Sequence, residues 1–197
     1  MTFKLGLTGS IGMGKSTTAK LFAEEGCDVW DADAAVHRLY SKGGLAVEPL
    51  RHLLPEAIED GAVSRENLKT LLKSDPNLLK EIERIVHPLV AQDRAECLEH
   101  TKADICVLDI PLLFETGSDK SMDATICVTV DLDIQKARVL ERGTMTEDQL
   151  DTILANQMPD EEKRARADFV ITTDTLEHAR AQVQDIVSQI RASLNHA

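Results

Sequence analysis

The sequence lacks any apolar stretch close to the roughly 20 residues that a membrane-spanning helix requires. Its longest apolar runs have the length of strands, and the first residues, MTFKLGLTG, lead directly into one of them. A signal peptide has a different pattern, with a charged start and a longer apolar run. We therefore expect a cytoplasmic protein without a membrane span.

The sequence lacks a regular cysteine pattern. The four cysteines show no CxxC spacing, and three of them fall in or beside predicted buried strands. Zinc sites and disulfide frameworks have regular cysteine spacings, so we interpret these residues as structural thiols. They are Cys27, Cys97, Cys106 and Cys127.

Positive charge is also in short supply, with 22 Lys and Arg against 34 Asp and Glu and a formal net charge of −12. Nucleic-acid backbones are bound by clustered cations, so this balance opposes an extended nucleic-acid interface. A local anion site made of loop amides and a few arginines is compatible with it. The 197 residues are 43% hydrophobic, which suffices for the core of one domain with a small inserted lobe.

A phosphate-binding motif stands near the start of the chain, in the segment TGSIGMGKST at residues 8–17. It satisfies the pattern GxxxxGK[ST], and it has the strand before it, at residues 3–7, and the helix after it, at residues 17–25, that the motif requires. The motif positions are Gly9, Gly14, Lys15 and Ser16.

Glycines let such a loop wrap closely around an anion, and its N–H groups point inward at the positive end of a helix dipole. The loop therefore predicts a bound nucleoside triphosphate, with Lys15 on the outer phosphates and the Ser16 hydroxyl on Mg²⁺. The predicted triphosphate-binding residues are Gly9, Ser10, Ile11, Gly12, Met13, Gly14, Lys15, Ser16 and Thr17.

Strand-length apolar runs alternate with helical patterns, which is typical of an α/β protein with a mostly parallel sheet covered on both faces. About 70 residues separate the second and third strands, too many for one crossover helix, and this predicts an inserted helical lobe. The predicted strands are Phe3–Thr8, Cys27–Trp30, Asp104–Asp109, Ala124–Val130 and Asp168–Thr172.

Helix signals divide the lobe into four segments, and Pro88 should kink the last of them. These segments are residues 32–41, 46–54, a helix after Ser64, and 77–101.

After the fourth strand a helix at residues 133–143 carries Arg138 and Arg142. A capping box of Thr146 and Gln149 then begins a helix that should reach Met158. The charged run EEKRARA follows, and arginine-dense helices beside a phosphate site can form a closing lid. The final helix, at residues 175–194, has an apolar face for packing.

Carboxylates follow two of the strands, at the edge where open α/β sheets bind ligands. Of Asp31 and Asp33, we expect one to cap the next helix and allow the other to act as a general base. Asp109 ends an apolar strand and is typical of a carboxylate that holds Mg²⁺. From the residues alone, Arg65 reads as a solvated helix-start residue and His87 as structural more often than functional.

A phosphate loop identifies the nucleotide but not the reaction. One candidate is a small-molecule kinase acting on a nucleoside, nucleotide or shikimate-like hydroxyl. A nucleotide-hydrolysing switch is a second, although no NKxD-type guanine-recognition sequence is present. A nucleic-acid-binding ATPase is a third, and the acidic balance disfavours it.

Taken together, the motifs resemble the dephospho-coenzyme A kinase family over nearly the whole chain. The shared segments, in family order, are GLTGSIGMGKST, the DAD of Asp31 to Asp33 followed by His37, SREN-L with Arg65, HPLV from His87, IPLLFE from Ile110, residues 135–142, Gln157 and Ala167-Asp168. Two positions differ from the family pattern: Ile153 stands where Arg is usual, and Thr173 lies near a frequent Asn.

The resemblance implies a P-loop NTPase of the nucleoside-monophosphate-kinase type, with a five-stranded parallel sheet of order 2-3-1-4-5. It implies a core (1–31, 102–134, 167–197), a helical CoA-binding lobe (about 32–101) and a lid (about 135–166). The implied reaction is ATP- and Mg²⁺-dependent phosphorylation of the ribose 3′-hydroxyl of dephospho-CoA, the last step of CoA synthesis.

The same resemblance implies roles for individual residues. Asp33 would be the general base, Lys15 and Arg142 would be the other catalytic residues, and Arg138 would reach over the phosphates. Ser16 and Asp109 would hold the metal. The implied acceptor-binding residues are Thr8, Asp33, Arg65, His87, Leu112, Leu113 and Glu115.

Overall fold

The computed structural model describes residues 2–195. Residue 1 and residues 196–197, at the two ends of the predicted core, lie outside the described part. The chain forms two compact units. The first ends at Trp30 and resumes at Thr101, and the second spans Asp31–His100. The predicted lobe, at about residues 32–101, has nearly the same bounds as the second unit.

The strands of the described chain form one large sheet and one hairpin. In chain order they are β1 (Phe3–Thr8), β2 (Asp28–Asp31), β3 (Ile58–Glu59), β4 (Ala62–Val63), β5 (Ile105–Asp109), β6 (Ala124–Thr129) and β7 (Phe169–Thr172). The sheet has the order β2-β5-β1-β6-β7, and its central pairs are parallel. With the hairpin strands left out of the numbering, this is the predicted order 2-3-1-4-5, which confirms the fold class.

The helices differ from the predicted segments by a few residues at their ends. They are α1 (Lys15–Glu24), α2 (Ala32–Tyr40), α3 (Val47–Leu53), α4 (Arg65–Ser74), α5 (Leu78–His100), α6 (Leu132–Glu141), α7 (Glu147–Ala155), α8 (Asp160–Arg166) and α9 (Leu176–Asn195). The predicted capping box is present at the start of α7. That helix ends three residues before Met158, at a point where the Asn156 amide donates to the Thr152 carbonyl. Helix α5 continues through Pro88, and the kink there stays a prediction.

The first unit has its main hydrophobic core between the sheet and two helices, α1 and α9. Strand residues such as Leu5, Val107 and Ile126 are completely buried in this core, together with Phe22 of α1 and Val183 of α9. Their continuous apolar runs explain the burial, because a parallel sheet inside an α/β unit has no solvent-facing side. The carboxyl ends of β1 and β5, next to each other in the sheet, therefore form a rigid base for the loops that follow them.

The second unit has a separate core made by α2 to α5 and the hairpin. Ala46, Leu50 and Ala57 are fully buried there, and Ile82 and Val86 of α5 pack against the same cluster. The sequence analysis missed the hairpin, although its turn is the Asp60-Gly61 pair. Both turn residues have positive φ, at 50° and 82°, as a two-residue Asp-Gly hairpin turn requires.

None of the four cysteines forms a disulfide, and all except Cys97 are buried. Burial raises the pKa of Cys27 to about 11 and that of Cys127 to about 12, which makes both thiols unreactive. Over residues 2–195 there is no helix with the length and apolar character needed to cross a bilayer.

Candidate active site

The phosphate loop joins β1 to α1 and has the backbone shape that its glycines make possible. Gly12 and Gly14 have φ angles of 79° and 88°, in the left-handed region that side chains disfavour. A Cβ atom at Gly12 would lie 2.6 Å from Cγ2 of Val139, so only glycine fits there. The first helical hydrogen bond runs from Thr18 N–H to the Gly14 carbonyl, so the N–H groups of Lys15, Ser16 and Thr17 in the first turn have no partner within the helix and suit an anion. Met13 N–H, earlier in the loop, donates to the Ser10 carbonyl at 3.2 Å.

Residues far away in the sequence brace this loop. The Gln135 amide donates to the Ile11 carbonyl at 2.7 Å, and the Thr173 hydroxyl donates to the Met13 carbonyl at 2.7 Å. The Met13 side chain is buried, and its sulfur accepts from Val130 N–H at 3.2 Å. The loop is therefore held in shape from α6, β6 and the end of β7. Neither Gln135 nor Thr173 was predicted as a site residue, because a bracing role has no local sequence signal.

The structure brings Lys15 and Asp109 together, as expected if both belong to one nucleotide site. The Lys15 ammonium forms an ion pair with the Asp109 carboxylate, and that side chain is only 1% exposed. Asp109 ends β5, next to β1 in the sheet, and Ser16 is exposed at the second position of α1. Mg²⁺ binds carboxylate and hydroxyl oxygens, so Asp109 and Ser16 have the chemistry that the predicted metal requires.

A cavity of about 240 Å³ adjoins the loop, and both predicted arginines line it together with Gly14, Thr17 and Thr173. The Arg138 guanidinium donates to the Thr173 hydroxyl at 3.1 Å and to the Thr173 carbonyl at 2.6 Å. Arg142 follows the last turn of α6 and is exposed. The cavity thus combines the start of α1 with two cations, which is the environment a triphosphate needs.

The segment after β5 contains three of the predicted acceptor residues, and they differ in exposure. Leu113 is fully buried in the interior, whereas Leu112 is 41% exposed. The buried Thr8 hydroxyl donates to the Pro111 carbonyl at 2.9 Å and holds the segment against the end of β1. Glu115 has a carboxylate that accepts from Met158 N–H at 3.1 Å.

Lys163 of α8 is the partner of Glu115. Its ammonium lies 2.9 Å from Oε1 of Glu115, and its side chain is completely buried. Burial by itself raises the pKa of Glu115, but the contact with the Lys163 ammonium and the backbone hydrogen bonds, including the one from Met158 N–H, together outweigh it, so the pKa is below its ordinary value. The sequence analysis included Lys163 only as part of the charged run EEKRARA of a possible lid, and only the fold shows that its side chain is buried.

In the second unit the structure distinguishes Asp31, the last residue of β2, from Asp33. The Asp31 carboxylate accepts from Ala34 N–H at 2.9 Å and caps α2. Asp33 lies in the first turn of α2 and is exposed. The expectation that one of the two caps the helix is therefore confirmed for Asp31. Arg65, the first residue of α4, and His87 of α5 are exposed too.

Known proteins support the kinase interpretation of these features. A family model described as dephospho-CoA kinase matches residues 3–178. The chain belongs to the dephospho-CoA kinase family. Over 197 residues it is 66% identical to a dephospho-CoA kinase of Ruegeria pomeroyi, with 100% of both chains covered. A dephospho-CoA kinase of Cereibacter sphaeroides is 58% identical, with 96% of each chain covered. The crystal structure of TT1252 from Thermus thermophilus is 35% identical, covers 95% of this chain and 97% of its own, and has a TM-score of 0.84.

Glu115→Gln should lower the free energy of unfolding by about 1–3 kcal/mol at neutral pH, because Lys163 would stay buried without a carboxylate. The folded-state pKa of Glu115 is below its unfolded value. Its stabilising effect is therefore complete above the unfolded pKa and is lost as the pH falls through the folded pKa. Urea unfolding of both proteins from pH 7 down to about pH 3 should show the difference shrinking with acid.

The matched control for this measurement is Glu161→Gln, at an exposed position of α8, the helix that contains Lys163. It should leave stability within about 0.5 kcal/mol of the wild type at every pH. A loss of stability in Glu115→Gln that does not change with pH would show that the carboxylate charge has no part in it.

Proposed function

We propose that this chain transfers the γ-phosphoryl group of ATP to the ribose 3′-hydroxyl of dephospho-CoA, giving coenzyme A and ADP. The observation that carries the proposal is the combination of a braced phosphate loop, with Lys15 on Asp109, and membership of the dephospho-CoA kinase family over the full length of the chain. We also propose a cytoplasmic location, as expected from the sequence.

ATP, the phosphoryl donor, would bind to the first unit. The loop amides of residues 9–17 would bind the triphosphate, with Lys15 on the outer phosphates and Arg138 and Arg142 beside them. Phosphoryl transfer depends chiefly on positioning and charge neutralisation, and the bracing of the loop supplies the first of these before the nucleotide binds. Residues 135–166, the proposed lid, would exclude water when closed and so limit hydrolysis of ATP.

Mg²⁺ would bind next to the triphosphate, in the first unit. Ser16 and Asp109 would hold it, since they offer the hydroxyl and carboxylate oxygens that this ion prefers. When bound, it neutralises phosphate charge. Lys15, already paired with Asp109, keeps the carboxylate at the start of α1.

Asp33 is the proposed general base in the acceptor half. It is exposed, whereas Asp31 is occupied as the cap of α2 and cannot take a proton without weakening that helix. Arg65 and His87 of the second unit would bind the acceptor. The same role is proposed for four residues of the first unit: Thr8, Leu112, Leu113 and Glu115. Leu113 would act by packing, and Glu115 by its ion pair with Lys163.

The activity is tested by measuring ADP release with a coupled assay in the presence and absence of dephospho-CoA. We expect release to depend on dephospho-CoA, with little hydrolysis in its absence. A panel of other hydroxyl acceptors, including nucleosides, nucleotides and shikimate, should give much slower release. Equal ADP release with and without dephospho-CoA would indicate a nucleotide-hydrolysing protein instead and would contradict the proposal.

Asp33→Asn should lower kcat by about 100-fold or more with a smaller change in the KM for ATP, because the variant keeps the shape of the side chain but cannot accept the proton. Asp31→Asn is the matched control. Asparagine also caps helices well, so this variant should keep near-normal turnover. Steady-state kinetics showing near-normal kcat in Asp33→Asn would remove Asp33 from the role of base.

Lys15→Ala should lose transition-state stabilisation on the order of 3 kcal/mol, measured as the fall in kcat/KM for ATP. Lys20→Ala, at an exposed position of the same helix, is the control and should leave kcat/KM unchanged. Full activity in Lys15→Ala would contradict the assignment of the loop as the ATP site.

A further inference from the structure

Lys163 of α8 has a completely buried side chain, which is rare for a lysine. Its ammonium lies 2.9 Å from Oε1 of Glu115, and within residues 2–195 it forms no other salt bridge. A buried ammonium is unfavourable unless an opposite charge pairs with it, so Lys163 depends on Glu115. Glu115 in turn ends the acceptor segment, which we define as residues 112–115, after β5.

This pair is not an efficient means of stabilising the fold. Removing two charges from water costs about as much as their attraction returns, and an apolar pair of similar volume is often equally stable or more stable. A charged pair differs from an apolar pair in its directionality, since the ammonium and the carboxylate must meet in one arrangement. The effect of the Lys163–Glu115 pair therefore lies in the arrangement that it fixes.

On the side of α8, the pair is attached to the sheet. The carboxylate of Asp160, the first residue of α8, accepts from the Thr129 hydroxyl at 2.8 Å. Thr129 is a buried residue at the end of β6, an inner strand of the sheet. Asp160 and Lys163 are three residues apart, so they lie on the same side of α8. The position of the ammonium is thereby set by the sheet.

The start and the middle of the acceptor segment are attached to β1. Pro111, just before the segment, has a carbonyl that accepts from the Thr8 hydroxyl at 2.9 Å. Leu113 is fully buried and packs over Gly6, where an added Cβ atom would lie 3.0 Å from its Cδ2. Both attachments hold the part of the segment that is close to the sheet, and neither fixes its far end.

The far end of the segment depends on Glu115. Its carboxylate receives the Lys163 ammonium and the N–H of Met158, which lies two residues before α8. Leu112 is 41% exposed, so it is the leucine of the segment that a ligand can reach. Without Lys163 the segment would keep only the single hydrogen bond from Met158 at this end, and Leu112 would no longer have one fixed position.

The geometry points to Lys163 as a positioning residue for the acceptor: from its place on α8 it holds Glu115, and through Glu115 the acceptor segment, in the arrangement that dephospho-CoA requires. This inference rests on the proposed function, in which the segment binds the acceptor. Lys163 is completely buried, so it acts through Glu115 and not by touching a substrate. The phosphate loop has separate braces, and ATP binding should not depend on Lys163.

Lys163→Met removes the charge, keeps an unbranched side chain and leaves Glu115 free to reach water, so the variant should fold. In the coupled ADP-release assay we expect the KM for dephospho-CoA to rise about tenfold, while the KM for ATP changes less than about twofold. A purely structural role would not give this result, because a smaller folded fraction lowers the apparent kcat and leaves both KM values unchanged. Lys102→Met, at an exposed position before β5, is the matched control and should leave both KM values unchanged.

The double variant Glu115→Gln/Lys163→Met separates positioning from stability. It contains no unpaired buried charge, and glutamine keeps an oxygen for Met158 N–H, so urea unfolding should show a stability close to that of the wild type. Its KM for dephospho-CoA should still be as high as that of Lys163→Met, since both changes break the same contact. A normal KM for dephospho-CoA in either variant, or an equal rise in both KM values of Lys163→Met, would overturn the inference.

Hydrogen exchange tests the segment without any substrate. The amides of Thr116, Gly117 and Ser118 donate to carbonyls of the acceptor segment. Lys163→Met should speed their exchange about tenfold or more and leave the amides of α1 unchanged, because a loss of global stability would speed both. Unchanged exchange at these three amides would also overturn the inference. Failure of the proposed function is a separate result: the wild type would then release no ADP in response to dephospho-CoA, and the exchange comparison would still report on Lys163.

Discussion

The phosphate loop must leave the N–H groups at the start of α1 without partners in the protein and still hold one shape, and several distant residues of the first unit meet this constraint. Unpaired backbone groups normally lead to disorder or to other hydrogen bonds. Here the carbonyl side of the loop is fixed instead, by Gln135 at Ile11 and by Thr173 at Met13. The amides are thereby left for an anionic ligand, and little entropy is lost when the ligand binds.

Two buried charged side chains, each paired with an opposite charge, also help to hold the site in place. Asp109 is almost completely buried, which is unfavourable for a carboxylate without a partner, and Lys15 neutralises it. Glu115 neutralises the buried Lys163 in the same way, and its hydrogen bond from Met158 N–H also ties the segment after β5 to the residues around the start of α8. The acidic chain thus uses two of its few lysines to hold acidic groups at the carboxyl end of one strand.

The second unit has a core of its own. The leucines, valines and alanines of residues 31–100 pack with one another. The fold of this unit therefore depends on its apolar residues, and exposed polar residues such as Asp33 and Arg65 can take the acceptor-binding role proposed for them.

The sequence by itself determined the features that depend on neighbouring residues: the phosphate loop, the buried strands, and the capping box at Thr146 and Gln149. The Asp60-Gly61 hairpin was equally local and was overlooked. Only the tertiary structure decided that Asp31 caps α2 while Asp33 stays exposed, because one hydrogen bond to Ala34 separates two aspartates of the same strand end. It also decided that Lys163 is buried and that Gln135 and Thr173 brace the loop. Those contacts join residues 124 and 160 positions apart, and local patterns carry no information about partners that only folding brings together.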